Sequence, residues 1–374
     1  MSRLRTIVIV AALVVLLGVG FFYLRGPKPI IEIKGEVLWT VGPLEITNTL
    51  FTSWIVVLFL IGFAFLATRR LAMVPSGLQN FVEAAIEALF GLVTTTAGER
   101  HGRRFFPVIA TIFLFVVVAN WFALLPIFNA IGKVEELGPE EAHFHEEAVV
   151  FEQGGGVALI LPDTTELEIE EPDPAACAGE QGHAKEECET ELRAQAIAEE
   201  KEAEEVGEDE AVGVLAPYFR SANTDLMTPL SLAIASAIFV EYWGISTLGF
   251  AAYGSKFFNF GRLFRGGFMG AIDFFVGILE FIAEIARLIS FSFRLFGNML
   301  AGEILLLVMT FLVPLLLALP FYGLELFVGM IQAFVFAMLT LIFGVLAVSA
   351  HGEGHEEESH AASPGAGAPA HQAE

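Results

Sequence analysis

The sequence predicts an all-α membrane protein: a polytopic helical bundle with two long, steeply tilted C-terminal helices and an amphipathic helix on the inner surface. Three observations carry that reading. The 374 residues are 55% hydrophobic and 17% charged, with a mean hydropathy of +0.66, whereas globular domains carry roughly 25% charged residues. Six apolar stretches, 6–24, 50–67, 105–128, 226–251, 268–312 and 321–349, approach or exceed the roughly 20 residues that a spanning helix needs. Finally, the formal charge of −24 is segregated. Residues 133–217 hold 26 acidic and 4 basic side chains, the tail after Ala350 adds 5 acids, and the remainder is close to neutral at +3. No basic face is left for a nucleic-acid partner.

Residues 1–48 contain the first apolar stretch and a linker. Arg3 and Arg5 resemble the charged end of a signal peptide, but the apolar core is long and Phe21, Phe22 and Tyr23 follow it in place of a small-residue cleavage site, so it reads as a retained helix. Residues 49–132 contain the second and third spans. Between them, Leu78, Phe81, Val82, Ala85, Leu89 and Leu92 recur at helical spacing among Gln79, Asn80, Glu83 and Glu87. This suits an amphipathic helix in the inner interface or, alternatively, a short hairpin arm packed on the bundle. Basic residues set the orientation. Arg69, Arg70, Arg100, Arg103, Arg104, Lys256, Arg262 and Arg265 fall in loops that are then inside, which leaves the acidic segment outside.

That segment, residues 133–217, reads as an extramembrane insert. Its low hydrophobicity and strong charge predict poor order or loose attachment, with a solvated helix over 187–205. His143, His145 and His183 read as solvated surface groups rather than metal ligands, and no metal site is expected. Cys177 and Cys188 lack CxxC spacing and leave one local disulfide open. Residues 218–350 hold the C-terminal spans, and 351–374 form a His/Glu/Ala/Gly/Pro tail that reads as disordered.

The fifth stretch is unusual for its ionisable content. It carries Asp273, Glu280, Glu284, Arg287, Arg294, Asn298 and Glu303, although a central arginine costs about 2.5–3.5 kcal/mol to insert. Such a helix must face protein or water. Without a proline from 268 to 312, it would be about 68 Å long, against a hydrocarbon core of about 30 Å. At about 100° per residue, Glu280, Glu284, Arg287, Arg294 and Asn298 share one side, while Glu303 points about 180° from Arg294. In the sixth stretch Glu325 and Gln332, seven residues apart, share a face. Carboxylates exchange protons, whereas arginine stays charged. Arg294 therefore suits a fixed charge between two acid-bearing regions. The competing reading has Arg287 and Arg294 pairing with Glu280, Glu284 or backbone simply to hold the bundle.

The run SFSFRLFGNMLAGE at 290–303 resembles the signature of subunit a of the F-type rotary ATP synthases. PSGLQNFVE at 75–83, NWFALLP at 120–126, TDLMT at 224–228 and IQAFVFAMLT at 331–340 extend the resemblance over about 50–350, outside the insert. It implies that Arg294 matches the essential arginine facing the carboxylate of a rotating c-ring, with Asn298 its polar neighbour. Glu303, Glu325 and Gln332 match positions of the outer half-channel and of the helix pairing near the arginine. Glu280 resembles the family's glutamate toward the inner half-channel, Glu284 sits toward the same inner side by the topology above, and Asn120 and Asp225 match the outer access route. Leu288, Ala123 and Met227 depart from residues frequent in the family.

The resemblance implies a stator ion-channel subunit in a prokaryotic plasma membrane. Its partners would be the c-ring, peripheral-stalk b subunits, the soluble catalytic sector and membrane lipids. No cofactor is expected, and no GxxxxGK[ST] phosphate loop occurs, so nucleotide chemistry belongs to partner subunits. A self-contained transporter and a structural scaffold are the alternatives.

Overall fold

The computed structural model describes residues 35–69, 71–125, 127–128, 131–136, 147–152, 158–159, 166–168, 188, 192, 195, 210–250, 253–254, 267–312 and 318–349. The first apolar stretch, His143, His145, His183, Cys177, all but three residues of the helix expected at 187–205 and the tail lie outside the described residues, as does the side chain of Asp273. Cys188 is disulfide-bonded.

Among the described residues, five helices are long and apolar enough to cross a membrane: α1 (Asn48–Thr68), α2 (Leu78–Phe122), α3 (Met227–Leu248), α4 (Gly267–Leu312) and α5 (Ala318–Val348). They fall on the apolar stretches from the second onward, and the fold is the expected all-α polytopic bundle. Thr47 caps α1 by accepting a hydrogen bond from the Leu50 amide at 3.3 Å, satisfying a donor that the first turn leaves open. Asp225 accepts from the Met227 amide at 3.1 Å and does the same for α3. α4 runs for 46 residues, about 69 Å at 1.5 Å per residue. In α5 the proline, Pro320, sits in the first turn, where its missing N–H costs no helical bond.

α2 is two helices. Gly98, at φ 73° and ψ 161°, breaks it into arms 78–97 and 99–122. The rings of Phe90 and Phe106 meet at 5.0 Å, although sixteen residues of straight helix would separate them by about 24 Å. Gly102 lies against the backbone of Thr94, 3.0 Å from where a Cβ would stand. The chain therefore turns back on itself at Gly98.

The chain forms two compact units. The first comprises Met1–Ile86, Ala110–Ala233 and Leu288–Ala337. Its core gathers Val56, Ala119 and Ala222, with Leu60, Phe115, Val118 and Phe122 around them, and the Phe59 and Phe122 rings meet edge-on at 4.9 Å. Leu295 and Met299 of α4 are buried, and Phe291 packs on Phe336 of α5 at 5.4 Å. The second unit comprises Glu87–Ile109, Ile234–Arg287 and Met338–Glu374. Phe105 stacks on Trp243 at 4.1 Å, Gly344 lies against the same indole, and Ser236 and Thr340 share a buried hydrogen bond of 2.9 Å.

Two small sheets belong to the first unit. β1 (Val37–Val41) and β2 (Leu44–Thr47) form a hairpin before α1. β3 (Ile131–Glu136), β4 (Glu147–Glu152), β5 (Ala158–Leu159), β6 (Glu166–Glu168) and β7 (Glu210–Pro217) form a sheet ordered β5-β3-β7-β4-β6. Most of the described residues of this acidic segment pair as strands, while 188, 192 and 195 are helical. The reason is local: Ala-Val-Val-Phe in β4 and Val-Gly-Val-Leu in β7 are short β-favouring runs set between the acids. β3 and β7 pair from Gly132↔Pro217 to Glu136↔Gly213, closing the insert at its root.

Candidate functional site

Two carboxylates of the first unit, Glu303 and Glu325, meet at a cavity of about 230 Å³. Its wall includes Ser221, Glu303, Tyr322 and Glu325, with Met299 and Leu306 among the apolar lining. Glu325 is buried, and its carboxylate lies over Gly302 of α4, where a Cβ would overlap it. Glu325 Oε1 and Ser221 Oγ are buried without a hydrogen-bond partner among the described residues. Glu303 sits 3.7 Å from Nε of Arg220, and both side chains are largely buried. A cavity of this size holds several waters at about 30 Å³ each, so these polar atoms have room for solvent.

Asn120 is fully buried and ties three elements together. Its Nδ2 donates to the Gly329 carbonyl of α5 at 3.0 Å, and its Oδ1 accepts from Asn223 Nδ2 at 2.6 Å. Asn223 belongs to a 3₁₀ turn, Ala222–Thr224, wholly buried beside α1. Asp225, next in chain, accepts from Thr49 Oγ1 at 3.0 Å as well as capping α3. Asn48, Thr49 and Thr52 are buried on the facing turn of α1. The result is a group of buried and half-buried polar side chains among helices otherwise composed for lipid.

Arg294 has a different setting. It is exposed on α4 with Asn298 one turn on, beside Phe293 and Gly297, while Leu295 and Met299 turn inward. Asn298 Nδ2 donates to Gln332 Oε1 of α5 at 2.9 Å, so the buried Gln332 pins the exposed Asn298. Arg294 Cζ stands 5.9 Å from the Phe291 ring centre. Among the described residues it forms no ion pair.

In the second unit Glu280 and Glu284 are half-buried on α4. Arg287 bonds Glu284 Oε1 at 2.7 Å and lies over the Phe343 ring at 3.5 Å. Tyr253, beyond the end of α3, packs on Gly244 and hydrogen-bonds Glu241. Burial pushes its hydroxyl above the ordinary phenol range, and the charges of Glu241, Glu284 and Glu280 add to that. One of these carboxylates, Glu241, is in direct contact with the phenol.

Sequence reasoning named Glu303, Glu325, Gln332, Asn120, Asp225, Arg294, Asn298, Glu280 and Glu284. It missed Arg220, Ser221, Asn223, Glu241 and Tyr253. Arg220 carried a usable signal, being a lone arginine in Tyr-Phe-Arg-Ser just before an apolar span. Tyr253 carried none.

Among the described residues, five apolar helices long enough to cross a membrane, with buried ionisable and amide side chains in and beside them, define a multi-pass membrane protein. The model of the ATP synthase A chain family matches residues 50–344. The ATP synthase subunit a of Gloeobacter violaceus is 30% identical over 334 residues, covering 88% of this chain and 97% of that protein. The subunit a of Moorella thermoacetica is 24% identical over 314 residues, covering 83% and 95%. The chain belongs to the ATP synthase A chain family, and so is a membrane-sector subunit of ATP synthase.

Proposed function

We propose that this chain is the stator ion-channel subunit of an F-type ATP synthase, providing two proton half-channels that couple proton flow to c-ring rotation and ATP synthesis. One observation carries the reading. Arg220 and Arg287 each sit beside a carboxylate, Glu303 and Glu284, whereas Arg294 has no ion pair among the described residues and is exposed. An unpaired arginine on an apolar helix is costly and cannot give up its proton. It is therefore suited to meet a carboxylate supplied by a partner, the ring.

In this reading protons enter past Asp225, Asn120 and the Glu303–Glu325 cavity, and neutralise a ring carboxylate displaced from Arg294. Asn298, held by Gln332, keeps the arginine's neighbourhood polar. Release proceeds through Glu280 and Glu284. Each crossing is worth about 2.3 kcal/mol per 100 mV. The lengths of α4 and α5 fit a steep inclination that broadens the face offered to the ring, and the 78–97 arm lies in the inner interface. Peripheral-stalk b subunits, the soluble catalytic sector and lipid complete the surroundings, in a prokaryotic plasma membrane. The chain carries no nucleotide site of its own.

The test is ATP-driven proton pumping in vesicles carrying Arg294→Ala, after confirming assembly with the ring. Pumping should fall to background. Normal pumping in an intact complex would return Arg294 to a structural role.

A further inference from the structure

Arg220 is a buried cation that the proposed proton route does not use. It precedes the 3₁₀ turn, is about 95% buried, and stands behind Glu303, the carboxylate it faces at 3.7 Å. In front of Glu303 lies the 230 Å³ cavity, with Glu325, Ser221, Thr310 and Tyr322 also on its wall. Two of these groups, Glu325 Oε1 and Ser221 Oγ, are buried without a partner among the described residues.

Without a nearby cation this wall would present two carboxylates and three hydroxyls to a space large enough for an ion and its waters. Hard cations are held by such oxygen sets. A proton needs no such cage, since it passes between oxygens already in place. Because sodium is far more abundant than protons near neutral pH, an uncompensated two-carboxylate pocket would fill with metal ion and stall. A fixed guanidinium beside one carboxylate offsets that carboxylate's negative charge and cannot titrate away.

We propose that Arg220 is a specificity-determining residue that keeps sodium out of the Glu303–Glu325 cavity and so reserves it for protons. This rests on the reading of that cavity as the proton entry route. Arg220 touches no transferred proton; it acts through Glu303.

The experiment uses the whole ATP synthase in vesicles and measures proton-driven ATP synthesis in sodium chloride against choline chloride at equal ionic strength. Wild type and Arg220→Lys, which keeps the charge, should be indifferent to the cation. Arg220→Gln should lose at least about tenfold more activity in sodium than in choline. Equal activity of Arg220→Gln in both salts, or sodium inhibition of wild type, overturns the proposal. Arg220→His provides the second route if the glutamine variant does not assemble. Sodium should inhibit it above the usual imidazole titration near pH 6.5 and spare it below; the same sodium response on both sides overturns the proposal. Glu303→Gln separates the two levels. Full synthesis by that variant overturns the reading of the cavity and this proposal with it. Loss of synthesis there, with a sodium-indifferent Arg220→Gln, overturns this proposal alone.

Discussion

A glycine and a glutamate on neighbouring helices show how closely the cavity is built. Glu325 lies directly over Gly302, and a methyl group at 302 would overlap its carboxylate. Gly302→Ala should therefore displace Glu325 at a cost of about 1–3 kcal/mol, the range for overpacking. Proton-driven ATP synthesis should fall severalfold in the assembled complex, and the shorter side chain of Glu325→Asp in the same background should recover part of it. Undiminished synthesis by the single variant would show that the carboxylate's seat is not needed. Glu325 was legible in the sequence, because an acid inside an apolar span demands an explanation. Gly302 was not, since a helical glycine declares nothing until the helix across from it is known. Arg220 escaped for a related reason: it lies between the acidic insert and a span, and its burial depends on α4, some eighty residues further along.

At the scale of elements, the spans were the most legible feature. Insertion into lipid is driven by apolar composition along the segment, so hydropathy alone placed a span at 50–67 where α1 runs Asn48–Thr68. The position of the turn within α2 was not legible in advance. Gly98 sits in Thr-Ala-Gly-Glu-Arg, a run that a helix tolerates, and only the contact of Phe90 with Phe106 reveals the reversal. The backbone of Gly98, at φ 73° and ψ 161°, lies where a Cβ is strained by about 1–3 kcal/mol. Gly98→Ala should lower the thermal midpoint of the purified complex by a few degrees while leaving its helical content unchanged. A midpoint equal to wild type would mean that the turn relaxes at no cost. The five-stranded sheet was hidden because composition averaged over the insert conceals its short Val-rich runs.

For the molecule as a whole, the all-α membrane class followed from where the charge sits, and the structure agrees because a bilayer accepts few alternatives to helices. The acids, amides and arginine of the motif runs and apolar spans were legible, whereas Arg220, Ser221, Asn223, Glu241 and Tyr253 were not, because only packing between distant segments brings them into play. The acidic insert is the part that the proposed proton route leaves out. Replacing residues 137–209 by a short Gly/Ser turn between β3 and β7 should leave assembly intact and ATP-driven pumping within about twofold of wild type, since net surface charge is screened beyond about 8 Å at physiological salt. Pumping lost in an assembled complex would assign the insert a direct part in ion supply.

The antiparallel stem of β3 and β7 also bears on how this chain can change over time. Its two strands pair from Gly132↔Pro217 outward, and the Tyr218 amide donates to the Ile131 carbonyl at 2.9 Å below that first pair. Whatever lies beyond the stem leaves and rejoins the body through a single doorway one strand spacing wide. Doubling the length of a flexible loop closed in this way costs only about 0.6 kcal/mol. A lineage can therefore lengthen, trim or exchange this segment without retuning the helices beneath it, and a fusion partner grafted at the same place would meet the same tolerance.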